Sequence, residues 1–151
     1  MRTRLALAAV LALGLAGCGN PDTPAGRAAD ARHKNFEGIG KSFKTISDQL
    51  KAPTPDAEKI KAAAAAINDA APKVSGWFPA GSGPNDGIKT DALQTVWTKP
   101  DQFKAAAQKL VDESAKFNTL AQTGNVASLG DGMKALGGAC KNCHDTFRKK
   151  D

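Results

Sequence analysis

Val126-Ala127-Ser128-Leu129-Gly130-Asp131-Gly132-Met133-Lys134-Ala135-Leu136-Gly137-Gly138-Ala139-Cys140-Lys141-Asn142-Cys143-His144-Asp145-Thr146-Phe147-Arg148 is the stretch on which the fold turns. Its apolar positions are Val126, Leu129, Met133, Leu136, Cys140, Cys143 and Phe147, spaced alternately by three and four residues. That is the stripe of an amphipathic helix, not the strict alternation of a half-buried strand. The spacing predicts a helix from about Val126 to Lys149. It puts both cysteines on the inward seam, close to the helix end.

Working back along the chain, three more segments repeat the pattern. Phe36, Ile39, Phe43, Ile46 and Leu50 make a seam in a helix expected over about Ala25 to Ala52, which Pro53 and Pro55 end. Thr54 is the expected N-cap of the second helix, with Pro55, Asp56 and Glu58 in its first turn. Its seam is Ile60, Ala64, Ile67, Ala71 and Val74. Five successive alanines, 62–66, would let another helix approach closely, or simply supply helix propensity. Residues 75–89 hold four Gly and two Pro and read as a loop, with Trp77 and Phe78 capping the core. Gly81-Ser82-Gly83 lacks the flanking strand and helix that phosphate binding needs. Thr98-Lys99-Pro100-Asp101 resembles a capping box. It starts a third helix that runs to about Gln122, with Phe103, Ala106, Leu110, Phe117 and Leu120 inward.

Composition agrees with helices. The chain has 151 residues, one domain's worth, with 41% hydrophobic and 24% charged residues. Aromatics are only 5% and there is no Tyr, which argues against a β-sandwich or barrel. The formal charge is +6, but the lysines are scattered and not interleaved with aromatics. This excludes a nucleic-acid binder on charge and leaves solvated faces, an acidic redox partner or anionic lipid.

The amino terminus reads separately. Arg2 and Arg4 precede an apolar run from Leu5 to Gly17, which is the pattern of a secretory signal and too short for a spanning helix. Leu15-Ala16-Gly17-Cys18 is similar to the bacterial lipobox, in which the cysteine is lipidated and becomes the first residue. Ordinary cleavage nearby would instead leave Cys18 a free thiol. Residues 1–17 are therefore expected to be a lipoprotein signal and 18–26 the lipidated end and tether, with the folded domain over 27–151. Removing 1–17 takes away two Arg and no acid, leaving a net +4. The expected location is the periplasm, with the lipid on Cys18 holding the protein to a bacterial membrane.

Export would normally pair cysteines, yet the count is odd, and Cys140 and Cys143 need their own explanation. Cys140-Lys141-Asn142-Cys143-His144 is the C-x-x-C-H pattern of c-type haem attachment. Thiols three apart on a helix reach the two vinyl groups of one porphyrin, and the next residue's imidazole serves as the iron's proximal ligand. A thioredoxin-like dithiol needs a βαβ setting that is missing here. Structural zinc needs a fourth ligand, for which only His33 or an acid is available. A disulfide three residues apart on one helix would constrain almost nothing. Haem c, joined through two thioethers with His144 on the iron, is the expected cofactor.

With these residues in view, the chain resembles the cytochrome c′ family over about residues 27–150. The family pattern C-x-x-C-H-x-x-[F/Y]-R is matched by Cys140 to Arg148, and its R-x-x-x-[M/L] element by Arg32-His33-Lys34-Asn35-Phe36, with Phe36 departing from it. Trp97 and Phe103 match a Trp and a Phe before the third helix. The resemblance implies an all-α, antiparallel four-helix bundle with covalently attached haem. It also implies homodimers through the first two helices. Members with a six-coordinate haem carry Met at the position of Phe36, and high-spin members an apolar residue. Phe has no donor atom, so the resemblance implies a five-coordinate iron screened by Phe36 and open to small diatomic gases, nitric oxide first. An electron-transfer cytochrome at the membrane is the alternative, and no catalytic constellation stands out. Met133 is expected in the core and His33 to point sideways, off the seam. Arg32 lies on the seam, where a haem propionate or a route to the surface would satisfy it. Arg148, four residues after His144, would return to the same helical face, near the proximal side of the haem or on the surface.

Overall fold

The structure is a computed structural model that describes residues 22–150. The expected signal, the Cys18 lipidation site and residues 19–21 of the tether lie outside the described residues, and the rest of the tether leads directly into the first helix. Four long or medium helices build the molecule: α1 (Pro24–Lys51), α2 (Ala57–Ala70), α4 (Pro100–Gln122) and α5 (Leu129–Phe147), with α3 (Thr95–Thr98) a single turn before α4. They alternate in direction as an antiparallel bundle. Packing is close between α1 and α2, α2 and α4, and α4 and α5, whereas α1 and α5 meet only sparsely. Among the described residues no strand forms apart from one isolated antiparallel bridge, Ala92 to Arg148. No described helix is long and apolar enough to cross a membrane.

The helix boundaries follow local chemistry. Thr23 caps α1, its hydroxyl accepting from the Gly26 N–H at 3.0 Å. Helix α2 begins later than the Thr54 cap predicts. Asp56 takes the role, accepting from the Lys59 N–H at 3.1 Å while its own N–H donates to Gln49 Oε1 at 2.8 Å. Beyond Ala70 the chain does not become a loop at Ser75 but tightens into a 3₁₀ helix, Ala71–Trp77. Pro72 explains the change, since it has no N–H to continue the α-helical ladder. The capping box expected before α4 does not form. Lys99 stands at the N-cap, and the Thr98 hydroxyl bonds back to the Gln94 carbonyl at 3.3 Å. Val126–Ser128 is a 3₁₀ turn, so α5 starts at Leu129.

The seams read from the sequence form the core. Ile46, Ile60, Ile67, Phe117, Leu129 and Leu136 are almost fully enclosed. Ala63 and Ala64 are the buried members of the alanine run. Leu120 departs from expectation and stays 37% exposed. It lies at the rim of the α4–α5 contact, where its Cδ1 would come within 3.2 Å of a Cβ added to Gly132.

Candidate functional site

Cys140 and Cys143 project from α5 as free thiols, half-buried against the core. Burial disfavours the thiolate, so both titrate upward from the ordinary value; Cys143 is pushed up to about 11, first by desolvation and then by Cys140 beside it. His144 follows at the exposed edge of the same helix. Met133 packs part-buried on the core, as its seam position predicts. Lys141 forms an ion pair with Asp145 on the outer face and thereby lowers the Asp145 carboxyl.

The end of α5 is held from outside the helix. Its α-helical hydrogen bonding stops at Phe147, earlier than the Lys149 expected from the pattern, because the 91–95 segment takes its last carbonyls. The Leu93 N–H donates to Phe147 O at 2.8 Å, and the Thr95 hydroxyl to Thr146 O at 2.8 Å. The Lys149 N–H donates to Asp91 O at 2.8 Å. Arg148 is the C-cap, extended at φ −119° and ψ 145°, with its N–H on the His144 carbonyl at 3.1 Å. The helical path thus ends at Arg148, and the chain after it runs extended toward Asp91. The Arg148 side chain is exposed.

Across from α5, Phe43 of α1 closes on Gly137. A Cβ at Gly137 would lie 3.3 Å from Phe43 Cζ. The two helices run antiparallel. Seven residues back along α1 and seven forward along α5, about 10 Å along each axis, Phe36 comes level with His144. Phe36 is half-buried and has no donor atom. Trp77 meets it edge-on, with centroids 5.1 Å apart, and Phe78 lies at 6.1 Å. From Phe78 the ring contacts continue to Phe103 at 4.8 Å and from there to Phe147 at 5.3 Å. His33 points outward as its register predicts. Its side chain is 69% exposed and stands 3.7 Å from Glu37.

Arg32, one turn before Phe36, is 3% exposed and does not run to the surface. Its guanidinium donates to Trp77 O, Ser82 Oγ, Ser82 O and Thr90 Oγ1 at 3.0–3.3 Å. It also lies 4.6 Å from the Phe78 ring centre and 5.6 Å from that of Trp97. Burial lowers its pKa. All four acceptors are neutral oxygens. They engage the guanidinium N–H groups and leave the positive charge without a carboxylate among these partners. Ser82 and Thr90 were not legible as partners, because only the folded 77–90 loop brings them to Arg32.

The donor set fits haem c. Two free thiols sit part-buried against the core on one helix with an imidazole beside them, and a buried cation held by neutral oxygens lies on α1. A helical bundle with this donor set defines a c-type haem protein of the all-helical kind. The family described as Cytochrome C′ matches residues 27–148, and the chain belongs to that family, whose members carry covalently bound haem c with its iron. Cytochrome c′ of Pararhodospirillum photometricum is 38% identical over 122 residues, covering 78% of this chain and 93% of that protein. The crystal structure of cytochrome c′ from Thermochromatium tepidum shares the fold with a TM-score of 0.78 at 20% identity, over 85% of this chain and 99% of that one. A nitric oxide complex of a variant cytochrome c prime from Alcaligenes xylosoxidans matches with a TM-score of 0.73 at 26% identity, over 83% and 97%.

Proposed function

We propose that this protein binds small uncharged diatomic gases, nitric oxide above all, at a haem held by Cys140 and Cys143 with His144 on the iron. Haem c supplies an iron that takes a gas molecule on the side opposite its histidine. The observation that carries the reading is Phe36: the α1 residue level with His144 has no donor atom and is braced edge-on by Trp77. The other side chains weighed as sixth ligands stand elsewhere. His33 faces solvent, and Met133 shares the helix of His144. An apolar wall of this kind admits a neutral diatomic and disfavours water and anions, which would give up hydration there. The nitric oxide complex of the related Alcaligenes protein supports the same ligand.

Absorption and resonance Raman spectra of the haem-loaded protein, ferric and ferrous, test this before and after nitric oxide. A five-coordinate, high-spin spectrum that changes with the gas is expected. A low-spin spectrum indifferent to it overturns the reading. That outcome would favour electron transfer, for which the exposed cations Arg148, Lys149 and Lys150 near His144 offer a face for an acidic partner.

The setting belongs to the same proposal. The basic-apolar start and Cys18 support export to the periplasm and a lipid anchor, and the exposed small residues of α2 leave a face for a homodimer. Radiolabelled fatty acid entering the wild-type chain but not Cys18→Ser tests the anchor.

A further inference from the structure

Thr90 stands where two sets of contacts meet. Its hydroxyl oxygen accepts from Arg32 Nη2 at 3.0 Å and from the Ala92 N–H at 3.2 Å. Arg32 belongs to α1, one turn from Phe36. Ala92 is the bridge partner of Arg148, and its neighbours Asp91 and Leu93 bond to Lys149 and Phe147 at 2.8 Å. One side chain therefore links the helix that carries the Phe36 wall to the clamp on the helix end that carries His144.

We propose that Thr90 is a positioning residue: it couples the seat of Arg32 on α1 to the orientation of the α5 terminus, and through that to His144. The physical reason is the pattern of satisfaction. A hydroxyl that accepts twice fixes the angle between its two donors. Without it, Arg32 keeps its Ser82 and Trp77 partners, but the 90–93 segment loses its tie to α1. The segment could then shift without breaking the fold, and the carbonyls of Thr146 and Phe147 would move with it. Ser82 tightens the other side of this arrangement, its hydroxyl accepting from Arg32 and donating to Pro79 O at 2.8 Å. Neither Thr90 nor Ser82 touches the thiols, so their effect on the iron's ligand is indirect.

The proposal rests on His144 being the proximal ligand, and the test separates the two. Thr90→Val keeps the shape and removes the acceptor; Thr90→Ser keeps the acceptor. In the haem-loaded protein, amide exchange at Leu93 and Lys149 is expected to rise about five- to tenfold in Thr90→Val and to match wild type in Thr90→Ser. The iron–histidine stretching band of the ferrous protein is expected to shift in Thr90→Val and to return in Thr90→Ser. Unchanged exchange in Thr90→Val overturns the proposal, as does raised exchange with an unmoved band. If wild type itself shows no iron–histidine band, the open-site reading fails, because only a five-coordinate ferrous haem gives that band; raised exchange in Thr90→Val then still supports the tie from Thr90 to the helix end, and unchanged exchange still overturns it.

Discussion

Phe43 of α1 lies against Gly137 of α5: its Cζ stands 3.3 Å from where a Cβ at Gly137 would be, closer than ordinary van der Waals contact. Reckoned from that contact, Phe36 is level with His144. Because α1 and α5 otherwise meet sparsely, it is the point at which their spacing is held by side chain against backbone.

A pair of alanine substitutions checks this contact. A methyl group added at Gly138 would meet nothing within 4 Å, so Gly138→Ala is expected to stabilise by about 0.5–1 kcal/mol through helix propensity. Gly137→Ala gains the same propensity but displaces Phe43, and overpacking costs about 1–3 kcal/mol. Thermal unfolding should rise for Gly138→Ala and not for Gly137→Ala. Equal gains would place Phe43 elsewhere.

Phe36→Met supplies a thioether where the wall stands. The haem-loaded variant is expected to turn low-spin and to bind nitric oxide much more slowly. His33→Ala, on the outward face, is expected to leave both the spectrum and the gas response unchanged. A spectrum altered by His33→Ala would move the sixth ligand to that side chain.

Arg32→Leu removes four hydrogen bonds and takes the Arg32 donors from the buried Ser82 oxygens, while Thr90 Oγ1 keeps only the Ala92 N–H. A loss of about 2–4 kcal/mol in denaturant unfolding is expected. Arg32→Lys should recover little, since an ammonium cannot span the same fork of acceptors. Full recovery by lysine would mean that charge alone matters at this position.

The thiols give a pH prediction for the folded chain before haem attachment. Their pKa is raised above the ordinary thiol value of 9.0, to about 11 for Cys143. Below that ordinary value both folded and unfolded chains keep the thiols neutral, so the shift has no effect. From there up to about 11 the unfolded chain ionises first, and stability falls as pH rises. Alkylation of Cys143 in the folded chain at pH 7 should be about a hundredfold slower than in the denatured chain, in proportion to thiolate, and that of Cys140 slower as well. Equal rates would mean that the thiols are not buried.

The four seams were legible because burial on a helix repeats every three to four residues, and Ile46, Ile67, Phe117 and Leu136 lie where that rule puts them. The attachment motif was legible because its residues are contiguous. The surroundings of Arg32 were not. Its partners Trp77, Ser82 and Thr90 are 45 to 58 residues away in sequence, and a loop's path carries no periodicity. The early end of α5 at Phe147 escaped for a related reason. Helical spacing assumes that the helix continues, and here a distant segment captures its last carbonyls. Leu120 shows that a seam has edges, since a residue in register can still lie at the rim.

The proline at position 72 has an effect on how the chain is laid out in space. By tightening the helix after Ala70 into a narrower coil with about 2 Å of rise per residue, it lengthens the reach of Ala71–Trp77 without adding residues. Trp77 and Phe78 are thereby delivered to the end of the bundle where Phe36 stands. A chain that kept the wider coil through Trp77 would stop several ångströms short, and the Phe36 ring would lack its brace. The width of a coil some forty residues downstream thus helps to set how firmly an α1 side chain is held.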